Sequence, residues 1–491
     1  MEQEIAQTLG ELERKLGELE RQVAAVGSGR LVDEAIEDGA TATPAPSPPP
    51  PPPAWAPGAW QPPAAPPPPA PATSASTPVG ARANGPAGGT EELLRFKERL
   101  ERTAAELTQD YDRLLGRLSF STEMASTGQA VETISFARGA PSLDIVDVEG
   151  LREAAERAFA NDPGGTTAYG TAVGYPKLRE WIAAKHGVAS ENVLVTNGSM
   201  QADAFLFEQL VGAGDEVVVE RPTYDRTLLS LRKRGALVHA VALRADGIDT
   251  QALARLLEGQ AGARPKLAHV IPNFQNPAGY TLSEAKRREL LALAARHGFV
   301  IFEDDPYVEL RFTGQGLPTM LSMDPERVVY ASSFSKTVCP GIRVGYLVGP
   351  KELIGSIKEL ATNTYISPSM VSQSIVYEFC ASGAIERSIA TVKSALAERA
   401  ATLARALARE LPEARFVEPE GGYFMWVMLP EGTDVATLHT AAAERGLAFV
   451  KGTDFVLEGG ENTLRIAYSG VTPAQIEEGV SRLAAAYRSL Y

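Results

Sequence analysis

Ser333-Phe334-Ser335-Lys336-Thr337-Val338-Cys339-Pro340-Gly341-Ile342-Arg343-Val344-Gly345-Tyr346 decides how this chain is read. A lysine lies among hydroxyls, a Pro-Gly turn follows, and an arginine stands seven residues on. Apolar Val328, Val329 and Tyr330 lead in and Val344 to Val348 lead out, so the segment predicts strand, loop, strand. A lysine held between buried strands is costly unless its charge is paired or consumed. Condensing its amine with an aldehyde, as a Schiff base, consumes it. Arg343 with the hydroxyls of Ser333 and Ser335 suits a phosphate dianion through charge-assisted, partly bidentate hydrogen bonds. An aldehyde that carries a phosphate is pyridoxal 5'-phosphate. Taken alone, the run also reads as a polar loop with a lysine and an arginine at its ends.

Other segments bear on that choice. Phe299 to Phe302 predicts a short strand running into Glu303-Asp304-Asp305-Pro306-Tyr307. Carboxylates at the C-terminal end of a strand are where an α/β sheet makes ligand contacts. An anion there would keep a pyridoxal ring nitrogen protonated and so make the ring an electron sink. Tyr307 would donate to the ring's phenolate oxygen. An exposed acidic turn is the other reading of this segment. Upstream, His269-Val270-Ile271 predicts a strand that enters Pro272-Asn273-Phe274-Gln275-Asn276-Pro277-Ala278-Gly279, by itself ordinary turn chemistry. Val193 to Val195 leads through Thr196-Asn197-Gly198-Ser199-Met200-Gln201 into a helical pattern from Ala202 to Leu210. Small residues at such a junction point backbone N–H groups at an anion, and the helix dipole assists. The strand Glu216 to Val219 precedes Arg221-Pro222-Thr223-Tyr224, which offers an aromatic face to a flat ring.

In this order and spacing, the residues from about Ile134 to the C-terminus resemble the class I/II aminotransferases, pyridoxal-phosphate enzymes of the aspartate aminotransferase fold. The resemblance is nearest to the kynurenine and 2-aminoadipate aminotransferase subgroup. It implies Lys336 as the cofactor-binding lysine and general acid/base, Asp304 at the ring nitrogen, and Asn276 with Tyr307 at the phenolate oxygen. It implies that Gly198, Ser199, the Met200 amide, Ser333, Ser335 and Arg343 hold the phosphate, while Tyr224 stacks on the ring. Tyr169, in Tyr169-Gly170-Thr171-Ala172-Val173-Gly174, matches the tyrosine that reaches the phosphate of a neighbouring subunit, which implies a homodimer. Arg465, in Asn462-Thr463-Leu464-Arg465-Ile466-Ala467, matches the arginine that grips the substrate's α-carboxylate, and Gly139 falls where an amino-terminal loop lines the substrate pocket. The bonds before Pro222 and Pro277 are expected to be cis. One departure is Lys451 in Phe449-Val450-Lys451-Gly452, where the family usually has proline, at a loop that borders the substrate entrance.

The chain has 491 residues, 44% of them hydrophobic, enough for two packed domains and further segments. Its net charge of −14 disfavours nucleic acid as a partner. No apolar run approaches the roughly 20 residues of a membrane helix. Two cysteines, Cys339 and Cys380, suit a reducing compartment, and an acidic start without a signal-peptide layout predicts cytoplasmic residence. No metal is expected. In the first 27 residues, Ile5, Leu9, Leu12, Leu16, Leu19, Val23 and Val26 form a heptad seam, weakened by Gly10 and Gly17, for a possible coiled-coil partner. Residues 41–89 are rich in proline and alanine and predict an extended, disordered linker. A helix is expected over 91–115.

The remaining chain alternates strands and helices, which predicts an α/β fold. We expect a large cofactor-binding domain at 160–364, with a mostly parallel sheet covered by helices on both faces. A smaller α+β domain would combine 116–159 with 365–491. The expected activity exchanges an amino group between an amino acid and a 2-oxo acid, with glutamate and 2-oxoglutarate as one pair by resemblance. Another pyridoxal-phosphate reaction at an amino-acid α-carbon is the alternative on the same fold. A cofactor-sensing regulator would need a basic DNA-binding module upstream, which acidic heptads and polyproline do not supply.

Overall fold

The computed structural model describes residues 132–258 and 262–491. The heptads, the proline-rich stretch and the helix expected over 91–115 lie outside the described residues.

Six short runs rich in Val, Ile, Leu and Phe become the interior of one sheet because both of their faces are buried. The sheet has eight strands in the order Val193–Thr196, Gly345–Val348, Val328–Ser333, Val300–Asp304, Pro265–Val270, Glu216–Arg221, Leu237–Arg244 and Gly247–Ile248. Only Gly345–Val348 and Gly247–Ile248 run against the rest, so the sheet is mostly parallel as expected. The strand, loop, strand reading of the lysine segment holds: Val328–Ser333 and Gly345–Val348 are antiparallel neighbours. Helices cover both faces, and their apolar sides meet the sheet in two cores. One core contains Val195, Val218, Val270, Ile301 and Tyr330, and the other contains Leu194, Val217, Phe302, Val329 and Leu347. These alternate along each strand, as period-two geometry requires.

A second sheet, antiparallel throughout, has the order Arg415–Phe416, Phe424–Met428, Thr463–Ala467 and Val450–Lys451. The long helix Ala384–Glu410 and the helix Pro473–Arg488 pack beside it around Leu403, Leu407, Ile466 and Leu483. Thr472 starts the latter with a reciprocal capping box to Gln475 and Pro473 at the first helical position. Ile134–Ser135 adds to this side by pairing with Leu447–Ala448. The apolar side chains of Met370–Ala381, including Val376 and Phe379, join the core of the large sheet rather than that of the small one.

Candidate active site

Five strands of the large sheet end on one edge, and the loops that follow them enclose a cavity of about 530 Å³. That edge is where parallel sheets place ligands. The arms around Gly139 and Arg465 close it from the side of the small sheet.

Lys336 lies in the tight turn after Val328–Ser333, held where the Phe334 N–H donates to the Val344 carbonyl at 3.0 Å and Val338 N–H to Phe334 at 2.8 Å. The Tyr423 hydroxyl donates to the Lys336 carbonyl at 3.0 Å. Lys336 Nζ donates to the Gly139 carbonyl at 2.6 Å and stands 5.6 Å from the Tyr307 ring centre. Burial, and then the positive charges of Arg465 and Arg343, push its pKa down to about 8. An amine so placed is a nucleophile and a proton carrier near neutral pH.

One corner is built for an anion. Gly198 has φ +86° and opens the helix Ser199–Leu210, whose N-terminus has no side-chain cap. A Cβ on Gly198 would collide with the Arg343 guanidinium, and one on Gly345 would collide with the Ser199 amide. Glycine is therefore what lets strand, helix and arginine approach so closely. Arg343 itself has φ +51°, a left-handed conformation unusual for a non-glycine residue. Its Nη1 donates to Ser335 Oγ at 3.3 Å, and the Ser335 N–H donates to Ser333 Oγ at 3.1 Å. The helix N-terminus, a guanidinium and two serine side chains thus border the same corner of the cavity, chemistry suited to an anion.

The opposite wall suits a protonated aromatic ring. Asp304 ends the strand Val300–Asp304, and its buried Oδ1 has no hydrogen-bond partner. Strand alternation turns Glu303 the other way, where it accepts N–H bonds from Met320 and Leu321 at 2.9 Å each. Asp305 accepts from Asn273 Nδ2 at 2.8 Å, also away from the cavity. Tyr307 is buried, which raises its hydroxyl pKa well above the usual value. Tyr224 follows Pro222, and burial pushes its hydroxyl up to about 12. The peptide bonds before Pro222 and Pro277 are both cis, as expected. Glu220 ties these two loops together, accepting from the Ile271 N–H at 3.1 Å and from Gln275 Nε2 at 3.0 Å. Gln275 Nε2 also donates to the Pro222 carbonyl at 2.8 Å.

Arg465 projects from Thr463–Ala467 into the same cavity. Its Nη1 donates to Asn276 Oδ1 at 2.9 Å and its Nη2 to the Ala137 carbonyl at 2.7 Å, while the buried Nε has no partner. The guanidinium lies 4.3 Å from the Phe424 ring centre and 4.8 Å from that of Phe455. A planar fork held between aromatic faces is suited to a carboxylate.

Gly139, Ser199, Met200, Tyr224, Asn276, Asp304, Tyr307, Ser333, Ser335, Lys336, Arg343 and Arg465 therefore line one cavity, with Gly198 directly behind Arg343. Tyr169 does not reach it and is 89% exposed. Lys451 does not line it either; Val450 and Asp454 do, and Lys451 Nζ lies 4.0 Å from Asp454. Sequence reasoning missed Asp203, the one acidic residue in the first two turns of its helix. Burial, with the Asp304 charge adding to it, raises the Asp203 carboxyl well above the usual carboxylate range. Phe424, in an apolar strand, and Phe455, in a short turn, were also missed, since an aromatic residue in either setting carries no mark that separates a site wall from a core.

An orphaned carboxylate oxygen, an uncapped helix N-terminus beside a guanidinium, and an amine close to half neutral at pH 8 complement a ring nitrogen, a phosphate and an aldehyde. The residues present fit pyridoxal phosphate. Residues 131–483 match the family model for aminotransferase class I and II. The chain is 34% identical over 383 residues to a 2-aminoadipate transaminase of Thermus thermophilus, covering 76% of this chain and 96% of that protein. It is 30% identical to an aromatic-amino-acid aminotransferase of Thermococcus litoralis, covering 79% of this chain and 97% of that one. The crystal structure of an alpha-aminoadipate aminotransferase from Thermus thermophilus, complexed with N-(5'-phosphopyridoxyl)-L-leucine, superposes with a TM-score of 0.70. That structure shares 33% identity over 73% of this chain and 92% of its own. With 72% of its length inside the family match and its fold shared with cofactor-bound relatives, this chain belongs to the class I and II aminotransferases and is a pyridoxal-phosphate-dependent enzyme that moves an amino group between an amino acid and a 2-oxo acid.

Proposed function

We propose that Lys336 is the residue that both anchors the cofactor and carries the proton. The observation that carries this reading is its single amine, depressed to about 8, in one cavity with the orphaned Asp304 oxygen and the Arg465 fork. Pyridoxal phosphate, when bound, supplies an aldehyde that takes the amino group and a ring that accepts the α-carbon's electron pair. Gly198, Ser199, the Met200 amide, Ser333, Ser335 and Arg343 hold its phosphate. Asp304 bonds its ring nitrogen, Asn276 and Tyr307 bond its phenolate oxygen, and Tyr224 stacks on the ring. Arg465, with Asn276 beside it, grips the substrate's α-carboxylate, and Gly139 lines the pocket for the rest of the substrate. When not bonded to the cofactor, Lys336 Nζ would take the proton from the substrate's α-carbon and deliver it to the carbon that had carried the aldehyde, which leaves the amino group with the cofactor. Phe424 and Phe455 exclude water from the arginine and so strengthen its pairing. Borohydride reduction of the loaded enzyme tests this: the cofactor should be fixed on the peptide containing Lys336. Label on Lys351 or Lys358 would overturn the assignment.

In the same reading the enzyme is a cytoplasmic homodimer. The exposure of Tyr169 supports a role in a partner's site, and the two unpaired cysteines, Cys339 and Cys380, support a reducing compartment. The division into a large domain at 160–364 and a small one combining 116–159 with 365–491 is supported by the separate eight-stranded and four-stranded sheets, and the packing of Met370–Ala381 on the large-sheet core favours drawing the second boundary nearer 382. Residues 1–90 serve assembly or tethering rather than catalysis. Truncation at Thr90 should leave turnover per site unchanged while light scattering still reports a dimer; loss of turnover would refute the division. The side chain that the pocket prefers is read from a donor panel of 2-aminoadipate, kynurenine, glutamate and aromatic amino acids.

A further inference from the structure

Asp304 has a neighbour that the transamination chemistry leaves unused. His269, on the strand Pro265–Val270, is completely buried, and its Nε2 stands 3.5 Å from Asp304 Oδ2. Neither ring nitrogen of His269 has a hydrogen-bond partner, although buried imidazoles ordinarily have one. The sheet register accounts for the placement. His269 pairs with Phe302, two residues before Asp304, so all three side chains stand on one face of the sheet. The Phe302 ring lies 5.1 Å from the imidazole and the Phe207 ring 6.2 Å, both edge-on. Asp203 sits one turn before Phe207 on the same helix, and its buried Oδ1 is also without a partner.

We propose that His269 is a positioning residue for Asp304: with its hydrogen on Nε2, it closes on Oδ2 and leaves Oδ1 to meet the protonated ring nitrogen. The inference rests on the assignment of Asp304 to the ring nitrogen made above. At 3.5 Å the contact is longer than a formed bond. A cation on the Oδ1 side holds Asp304 as a carboxylate, and bonds to a charged acceptor are shorter and stronger. Burial, and after it the charge of Asp304, pushes the Asp203 carboxyl well above the usual carboxylate range. By donating to Asp304 rather than to Asp203, His269 favours negative charge on the residue that meets the ring nitrogen.

The experiment compares two cofactors on the apoprotein: pyridoxal phosphate and its 1-deaza analogue, in which carbon replaces the ring nitrogen. Dissociation constants are read by fluorescence for wild type, His269→Phe, His269→Gln and Asp304→Asn. His269→Phe should weaken pyridoxal phosphate by about ten- to hundredfold and the deaza analogue by about twofold or less. His269→Gln, which keeps a side-chain N–H, should recover most of the loss. In wild type, the 15N resonance of His269 Nε2 should move on binding pyridoxal phosphate and stay put with the analogue, a readout that needs no variant to fold. If His269→Phe weakens both ligands equally, or neither, and the resonance responds alike to both, His269 is only packing and the proposal falls. If Asp304→Asn also fails to discriminate between the ligands, the assignment of Asp304 itself is at fault; if it discriminates while His269→Phe does not, only the role of His269 is lost.

Discussion

Covalent capture of pyridoxal phosphate by Lys336 should switch on at a lower pH than an ordinary lysine allows. Burial is the largest cause of the fall in its pKa from 10.5 to about 8, followed by the charge of Arg465 and then that of Arg343, with Asp304 opposing them. At a pH of about 7.5, roughly a quarter of such amines are neutral, against about one in a thousand for an unperturbed lysine. The nucleophile is thereby enriched ~200-fold. Mixing apoprotein with cofactor across pH, following the absorbance change and trapping the product with borohydride, gives the rate and identifies the lysine. The rate should rise through an inflection near 8 and then level. Arg465→Gln removes the positive charge that acts more strongly on the amine, so the inflection should move up. Arg343→Gln should move it up by less, and Asp304→Asn should move it down. An inflection near 10.5 in wild type, or a downward move in Arg465→Gln, would refute the electrostatic account of this amine.

Three further outcomes follow from the geometry. Arg465→Lys keeps the charge but loses the planar fork that sits between Phe424 and Phe455, so the apparent substrate KM should rise about ten- to hundredfold. Cofactor affinity should stay unchanged, and an equal loss in both would contradict the division of labour. Gly198→Ala drives a methyl group into the Arg343 guanidinium, so affinity for pyridoxal phosphate should fall at least about tenfold, while pyridoxal without its phosphate is affected little. Equal losses for the two ligands would remove Arg343 from the phosphate site. Glu220 is pushed up to about 8 by burial. A raised carboxyl stabilises the fold below its ordinary value of 4.5, and that contribution is lost as pH rises through about 8. Glu220→Gln keeps the acceptor for Ile271 and Gln275, so the thermal midpoint of the variant relative to wild type should climb across this window; a constant difference would refute the burial account.

Much of the site was legible in the residues themselves. Lys336 among hydroxyls, Arg343 beyond a Pro-Gly turn and Gly198 before a helical pattern each carry local chemistry, because loops that bind charge need particular side chains and backbone angles. The strands were legible for a similar reason: a parallel sheet buried on both faces demands unbroken Val, Ile and Phe runs such as Val217 to Val219 and Val300 to Phe302. What local pattern could not supply was convergence. Asp304 and Arg465 are separated by 161 positions, and only the fold brings the Arg465 guanidinium onto Asn276 beside the ring wall. His269 looked like any polar residue in a strand until the register with Phe302 set it against Asp304. Asp203 looked like an ordinary helix residue until burial raised its carboxyl. Residue type and spacing pointed to a lysine and phosphate site and to the α/β class, and the resemblance to the class I/II aminotransferases completed the cofactor chemistry. Which buried groups stand without partners, and which wall faces which, the tertiary structure alone decided, because desolvation and distance belong to the packed chain and not to any stretch of it.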